Sequence, residues 1–242
     1  MDSQALVKHK TGHFGFSAVG LDDLGASEYT LVTVIADRSG STQGFQQAME
    51  LVLKELNKAC FHSDRANNLL IRLVAFEDFA EEIHGFKLLQ QINPDDYNGV
   101  LRPGGMTALF DAAVDGIEAT TNYAEYLAKQ DFMSNGFVVV ITDGMDNRSK
   151  LTAARVKEAL VKAVKSEYLE SIMSILVAVN VQDATALQML QDFNTTVGFT
   201  QYLELGNADA KTLAKLANWL SESVSSQSQA LGSGGVSQSL VF

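Results

Sequence analysis

The stretch TLVTVIADRSGS, residues 30–41, decides the predicted fold. Thr30 to Ala36 form a β-branched, apolar run, which is typical of a strand. The run stops at Asp37, and small polar residues follow as far as Gly44, where apolar residues begin to recur at helical spacing. The stretch therefore predicts a strand, a loop and a helix, in that order.

The same alternation continues along the chain. Further strands are predicted at 69–76, 80–86, 136–142, 172–180 and 199–205, and helices are predicted to end near Cys60, Ala128, Tyr168, Gln191 and Val224. The run 136–142 is almost wholly apolar, as in strands buried on both faces, whereas 69–76 and 80–86 are close enough to form a hairpin at a sheet edge. We therefore expect a Rossmann-like, three-layer α/β fold, with a mostly parallel central sheet, one antiparallel edge strand and helices on both faces.

The chain length favours one domain with extensions. With 242 residues, of which 46% are hydrophobic, one well-filled core is a better expectation than two small ones. We assign residues 29–224 to this domain and residues 1–28 to an N-terminal extension, which could add an edge strand, pack on the core or bind a neighbouring subunit. Residues 225–242 are rich in Ser, Gly and Gln, and we expect a flexible tail there.

Charge and cysteine content limit the partners and the compartment. The 18 basic and 29 acidic side chains give a formal charge of −11, which disfavours nucleic acid and anionic membranes as partners. Cys60 is the sole cysteine, so no intramolecular disulfide can form. Because the sequence also shows no signal peptide and no apolar run of roughly 20 residues, we expect a cytoplasmic protein.

Three loops carry small oxygen-bearing side chains just beyond the ends of predicted strands. They are Asp37, Ser39 and Ser41 in DRSGS, Thr107 at the end of PGGMT, and Asp143 in TDGMDN. Loops at the carboxyl ends of parallel strands converge on one crevice, so we expect these five side chains to meet. Two carboxylates and three hydroxyls suit a hard cation, either Mg²⁺ or Mn²⁺, with coordination positions left for water or a ligand.

The DRSGS stretch alone has a simpler interpretation, because Asp and Ser between a strand and a helix are often turn formers or N-caps. The alternate spacing of Asp37, Ser39 and Ser41 nevertheless lets a tight loop direct all three side chains at one centre. Gly104 and Gly105 would relieve backbone crowding before Thr107. The agreement of three loops favours a binding site over a turn.

The pattern DxSxS, a Thr in a Gly-rich loop and an Asp in a TDG context resembles the metal-ion-dependent adhesion site (MIDAS) of von Willebrand factor A domains. The resemblance covers residues 29–224 in element order, and every motif position is present. It implies that Ser39 and Ser41 ligate the metal directly, Thr107 directly or through water, and Asp37 and Asp143 mainly through water. It also implies that a Glu or Asp of a partner protein completes the coordination shell.

Enzymatic alternatives fit the sequence less well. A phosphotransferase of the haloacid dehalogenase type needs a second Asp two residues after the first, where this chain has Ser39. The sequence lacks a GxxxxGK[ST] loop, a GxGxxG fingerprint and a GxSxG elbow. We therefore predict a binding module and not an enzyme.

Two functions remain open at this stage. The first is a metal-dependent protein-interaction module, and the resemblance suggests an AAA+ ATPase or a stress or conflict-response system as its context. The second is an assembly subunit that self-associates through its terminal extensions, with the metal only stabilising the loops.

Overall fold

A central sheet runs through the molecule, whose computed structural model describes residues 6–11, 14–235 and 240–242. Within these residues the sheet has eight strands in the order β1-β2-β5-β4-β3-β6-β7-β8. The strands are β1 (Val7–Thr11), β2 (Phe14–Ala18), β3 (Glu28–Asp37), β4 (Leu69–Phe76), β5 (Ala80–Leu88), β6 (Met133–Thr142), β7 (Ile172–Val179) and β8 (Gln201–Leu205).

Helices cover both faces of this sheet. They are α1 (Gln46–Phe61), α2 (Leu109–Ala128), α3 (Ala153–Val164), α4 (Ala184–Val197) and α5 (Ala210–Ser233). Helices α2, α3 and α4 pack on one apolar layer of the sheet, and α1 and α5 pack on the other. No helix within the described ranges is both long and apolar enough to cross a membrane.

Strands β3 and β6 form the parallel centre of the sheet. They pair in register from Glu28 opposite Met133 to Ala36 opposite Ile141. Apolar side chains on both faces of each strand are buried, as expected for a sheet covered by helices on both sides. Because the two strands end at the same level, Asp37 and the residues that follow Thr142 lie at one edge of the sheet.

The predicted fold class is confirmed, with one difference at the sheet edge. Strand β5 is antiparallel to β4, as predicted, but it is not the edge strand, because β2 pairs with it in parallel and β1 pairs with β2. The N-terminal hairpin joins the fold because Phe16 is buried and its ring contacts those of Phe86 and Tyr123. Residues 1–5, 12 and 13 of the predicted extension lie outside the described residues.

A buried ion network also fastens this hairpin. Arg72 on β4 donates to Glu82 on β5 and to Asp115 on α2, each at 2.8 Å. Glu82 in turn accepts hydrogen bonds from the backbone N–H and the hydroxyl of Ser17 on β2. The network thereby ties three strands to α2, the helix that begins directly after Thr107 and Ala108.

The structure differs from the sequence prediction at the C-terminus. Helix α5 does not end near Val224 but continues to Ser233, so residues 225–233 are helical and not a flexible tail. Tertiary hydrogen bonds hold the polar residues in place, from Gln227 to Ser171 and from Arg65 to Ser228, and Leu231 adds apolar burial. The remaining tail residues 236–239 lie outside the described part of the chain.

Candidate metal centre

The five predicted side chains lie at the carboxyl-terminal edge of the central strands. Asp37 is the last residue of β3, and a 3₁₀ turn at Gly40–Thr42 begins directly after Ser39 and contains Ser41. Asp143 directly follows β6. The parallel register of β3 and β6 thus brings two loops together that are about a hundred residues apart in sequence.

Hydrogen bonds join the residues of these loops in one series. The Ser39 N–H donates to Asp37 Oδ1 at 2.8 Å, and the Ser39 and Ser41 hydroxyl oxygens are 3.1 Å apart. The Ser41 hydroxyl donates to Asp143 Oδ1 at 2.8 Å. Four of the five predicted residues therefore form a single contact series that runs from the interior to the surface.

Asp37 is the deepest member of this series. Its exposed fraction is 1%, and burial raises the pKa of its carboxyl to about 6. The Thr142 hydroxyl donates to Asp37 Oδ2 at 2.6 Å, which favours the ionised form but does not offset the desolvation. Sequence reasoning did not single out Thr142, although it directly precedes Asp143 in the TDG motif.

Thr107 reaches the same place from the loop before α2. Its N–H donates to Asn147 Oδ1 at 2.8 Å, and the Asn147 N–H donates back to the Thr107 carbonyl at 3.0 Å. Thr107, Ser41 and Asp143 line one surface depression of about 370 Å³. The structure thus brings all five residues to one edge, while their role as metal ligands stays a prediction.

Arg38 holds the loops of the site against each other. Its guanidinium lies 2.6 Å from Glu81 and 3.2 Å from Glu77, and its carbonyl accepts from the Gly104 N–H at 3.0 Å. At Gly105, where φ is +64°, an added Cβ would lie 2.7 Å from Glu77 Oε2. The loop that carries Thr107 therefore requires glycine at this position, and Arg38 anchors it to the end of β3.

Asp146 stabilises both its own loop, where it accepts from the Ser149 N–H at 3.2 Å, and the start of α2. Its Oδ2 accepts from the Phe110 N–H in the first turn of α2 at 3.0 Å. A carboxylate in this position satisfies a helix N–H and interacts favourably with the helix dipole. The DGMDN loop thus fixes both Thr107, through Asn147, and the start of α2.

The donor set fits a hard divalent cation. Among the described residues, neither Asp37 nor Asp143 forms an ion pair with a basic side chain, and no three His, Cys, Asp or Glu side chains cluster as a metal-binding group. A bound cation would supply the positive counter-charge that no basic side chain provides to the buried Asp37 carboxylate. Hydroxyls and water would have to complete the coordination, which suits Mg²⁺ or Mn²⁺ better than a metal that needs thiolate or imidazole.

Solved structures share this fold at low sequence identity. The pilus adhesin SpaC from Lactobacillus rhamnosus GG superposes with a TM-score of 0.62 and 10% identity, covering 84% of this chain and 31% of SpaC. The PilB minor pilin from Streptococcus sanguinis gives 0.58 and 15%, covering 89% of this chain and 65% of the pilin. The chain thus spans less than two thirds of either protein.

A third structure with this fold contains a metal ion. Proximal thread matrix protein 1 from the mussel byssus, with a zinc-occupied MIDAS motif, gives a TM-score of 0.53 and 14% identity, covering 79% of this chain and 46% of that protein. No protein-family model matches the sequence, and no curated protein matches it. The structural likeness establishes a von Willebrand factor A-like α/β fold for this chain.

Proposed function

We propose that the chain is a protein-interaction module that binds an acidic residue of a partner through a divalent metal. The observation that carries this proposal is the hydrogen-bonded series from buried Asp37 through Ser39 and Ser41 to Asp143. Oxygen atoms from separate loops are held together at an edge of the sheet that opens to solvent. The zinc in the MIDAS motif of the mussel thread protein supports a metal at this edge.

Each residue has a distinct role in this proposal. Asp37 supplies negative charge from the interior, where Thr142 and the Ser39 N–H fix its orientation. Ser39, Ser41 and Thr107 offer neutral oxygens, and Asp143 adds a second carboxylate nearer the surface. A divalent ion would keep much of its positive charge in this set if the two carboxylates reached it mainly through water, and it would then supply a Lewis-acidic position for an incoming carboxylate.

The partner is proposed by its chemistry. A Glu or Asp side chain completes a shell of hard oxygen ligands, and the formal charge of −11 disfavours nucleic acid. The likeness in fold to a pilus adhesin supports a binding role. Within this proposal, an AAA+ ATPase and a second copy of this chain are two candidate partners.

Mn²⁺ provides a direct test, because its paramagnetic resonance spectrum reports its ligands. We expect the wild-type protein to bind Mn²⁺ and acetate to change the spectrum of the bound ion. We expect Asp143→Asn to bind the ion at least tenfold more weakly, roughly 1.4 kcal/mol. Asp183→Asn is the matched control, since Asp183 lines the same depression and caps α4 without belonging to the proposed set.

Two results would count against the proposal. Equal Mn²⁺ affinity in the wild type and Asp143→Asn would remove Asp143 from the site. A bound Mn²⁺ whose spectrum does not respond to acetate would leave no open position for a partner. If the protein also self-associated equally with Mn²⁺ and with chelator in sedimentation experiments, an assembly subunit would become the better account.

A further inference from the structure

The depression beside the metal centre is larger than a metal ion requires. Ser41, Thr107 and Asp143 contribute only part of its wall, and its volume is about 370 Å³. A water molecule takes about 30 Å³ in the liquid, so an ion with three waters would fill only about a third of this space. The rest of the wall is formed by Gly144, Met145, Asn147, Asn180, Val181, Gln182, Asp183 and Ala186. Space therefore remains for an organic group of a ligand that is bound to the metal.

Apolar side chains form part of this remaining wall. Met145 and Val181 are half-buried, so part of each side chain is open to solvent. Ala186, in the first turn of α4, is 8% exposed. Val181 also packs against the core cluster beneath α4. The apolar wall is thus accessible to a ligand and is fixed from behind by core contacts.

The polar side chains of the wall have partners inside the protein. Asn147 Oδ1 and Asp183 Oδ1 each accept from a backbone N–H at 2.8 Å, and Gln182 Nε2 donates to Asn180 Oδ1 at 3.0 Å. Asn180 adopts the left-handed conformation, with φ at +56°, and its N–H donates to the Leu205 carbonyl at 2.8 Å. A ligand would therefore meet a preformed wall, and little further ordering would oppose its binding.

The charges of the site disfavour a second acidic group in the ligand. The lining contains Asp143 and Asp183 and no Lys, Arg or His. A divalent ion would face three carboxylates once that of the partner has joined Asp37 and Asp143, so the occupied site would already carry a net negative charge. A further carboxylate would be repelled, whereas an apolar group would lose water-exposed surface against Met145 and Val181.

We propose that the depression binds an apolar side chain next to the acidic residue of the partner. The recognised motif is then an acidic residue with a large aliphatic or aromatic neighbour. This proposal rests on the metal-dependent function proposed above and adds specificity to it. The carboxylate binds the ion, and the neighbouring side chain lies against Met145, Val181 and Ala186. The second contact selects one acidic residue among the many that protein surfaces expose.

Simple carboxylates separate the two contributions. Acetate offers a carboxylate alone, hexanoate adds four methylene groups, and 6-aminohexanoate places an ammonium group at the end of the same chain. Each is titrated into Mn²⁺-loaded protein and followed by the paramagnetic resonance spectrum of the ion. Hexanoate should bind about tenfold more tightly than acetate, because its chain is partly removed from water. We expect 6-aminohexanoate to bind more weakly than hexanoate.

A double variant tests whether the named wall provides this preference. Met145→Gln combined with Val181→Thr keeps the side-chain sizes and makes the wall polar, so the preference for hexanoate over acetate should disappear. Met189→Gln combined with Val164→Thr is the matched control, since both residues are exposed and neither lines the depression. In the Mg²⁺-loaded wild type, hexanoate but not acetate should shift the methyl NMR signals of Met145 and Val181.

The possible failures of the two proposals can be told apart. Equal affinity for acetate and hexanoate would overturn the apolar contact and leave the metal-dependent function standing. A bound Mn²⁺ that responds to neither carboxylate would overturn both. Tighter binding of 6-aminohexanoate than of hexanoate would replace the apolar neighbour by a cationic one, with Asp183 as its partner. A hexanoate preference that persists in the double variant would place the apolar contact elsewhere on the protein.

Discussion

Buried polar groups at the two edges of the central sheet differ in whether they have hydrogen-bond partners. At the carboxyl-terminal edge, Asp37 accepts from Thr142 and from the Ser39 N–H. At the amino-terminal edge, Thr30 Oγ1 and Asn135 Oδ1 are equally buried but have no partner among the described residues. The same two strands, β3 and β6, carry both sets. Residues of the site loops and of β6 thus satisfy both carboxylate oxygens of Asp37, whereas α5 satisfies only the NH₂ group of Asn135.

Lowering the pH should produce the largest loss of stability. It acts on His84 of β5, whose two ring nitrogens both have hydrogen-bond partners. His84 Nδ1 lies 2.9 Å from the Gly85 carbonyl and Nε2 lies 3.0 Å from the Tyr97 hydroxyl, and burial lowers the pKa of the ring from 6.5 to about 4. The folded state therefore binds fewer protons than the unfolded state between these values, so stability falls as the pH drops from about 6.5 to 4. The pKa shift corresponds to a loss of roughly 3 kcal/mol in the free energy of unfolding.

Urea unfolding of the wild type and His84→Gln across this pH range measures the effect. We expect the difference in unfolding free energy between the two proteins to shrink as the pH falls, because the glutamine cannot be protonated. A constant difference from pH 7 to pH 4 would show that His84 is not held neutral by the fold.

A pair of isosteric substitutions compares the two edges directly. Thr142→Val removes a donor to buried Asp37 and should cost about 1–3 kcal/mol of stability in metal-free protein. Thr30→Val removes a buried hydroxyl without a partner, so it should be neutral or stabilise by up to about 1 kcal/mol. Urea unfolding measures both values. Equal destabilisation by the two substitutions would abolish the contrast between the edges.

Arg38→Leu tests whether loop anchoring at the carboxyl-terminal edge affects the metal. Loss of the ion pairs to Glu77 and Glu81 should loosen the turn between β4 and β5, whose Glu77 carbonyl accepts from the Ala108 N–H beside Thr107, and metal affinity should fall roughly 10-fold to 100-fold. Arg148→Leu is the control, because Arg148 forms an exposed ion pair with Asp78. Calorimetric Mg²⁺ titration would contradict this role if both variants bound the ion like the wild type.

The central strands and the site loops could be predicted from sequence because their signals are local. The runs TLVTVIA and GFVVVIT are apolar and β-branched, and polar residues follow each one directly. Both runs are buried strands, and their ends meet as the parallel arrangement requires.

Long-range contacts explain what the sequence did not predict. The second half of α5 has the composition of a flexible tail, yet Arg65 and Ser171 supply partners for Ser228 and Gln227. Likewise, Arg38 lies within the recognised motif, but its ion pairs with the β4–β5 hairpin are visible only in three dimensions. Composition and spacing report local preference and give no information on such partners.

Thermal unfolding in a Mg²⁺ or Mn²⁺ titration tests the metal centre most directly. At 100 times its dissociation constant the ion should stabilise the wild type by about 2.7 kcal/mol, which raises Tm by about 5–10 °C. We expect Asp37→Asn to lose this shift and Asp183→Asn to keep it, with chelator abolishing it in every protein. A shift of equal size in Asp37→Asn and the wild type would contradict the account, because the ion would then bind elsewhere.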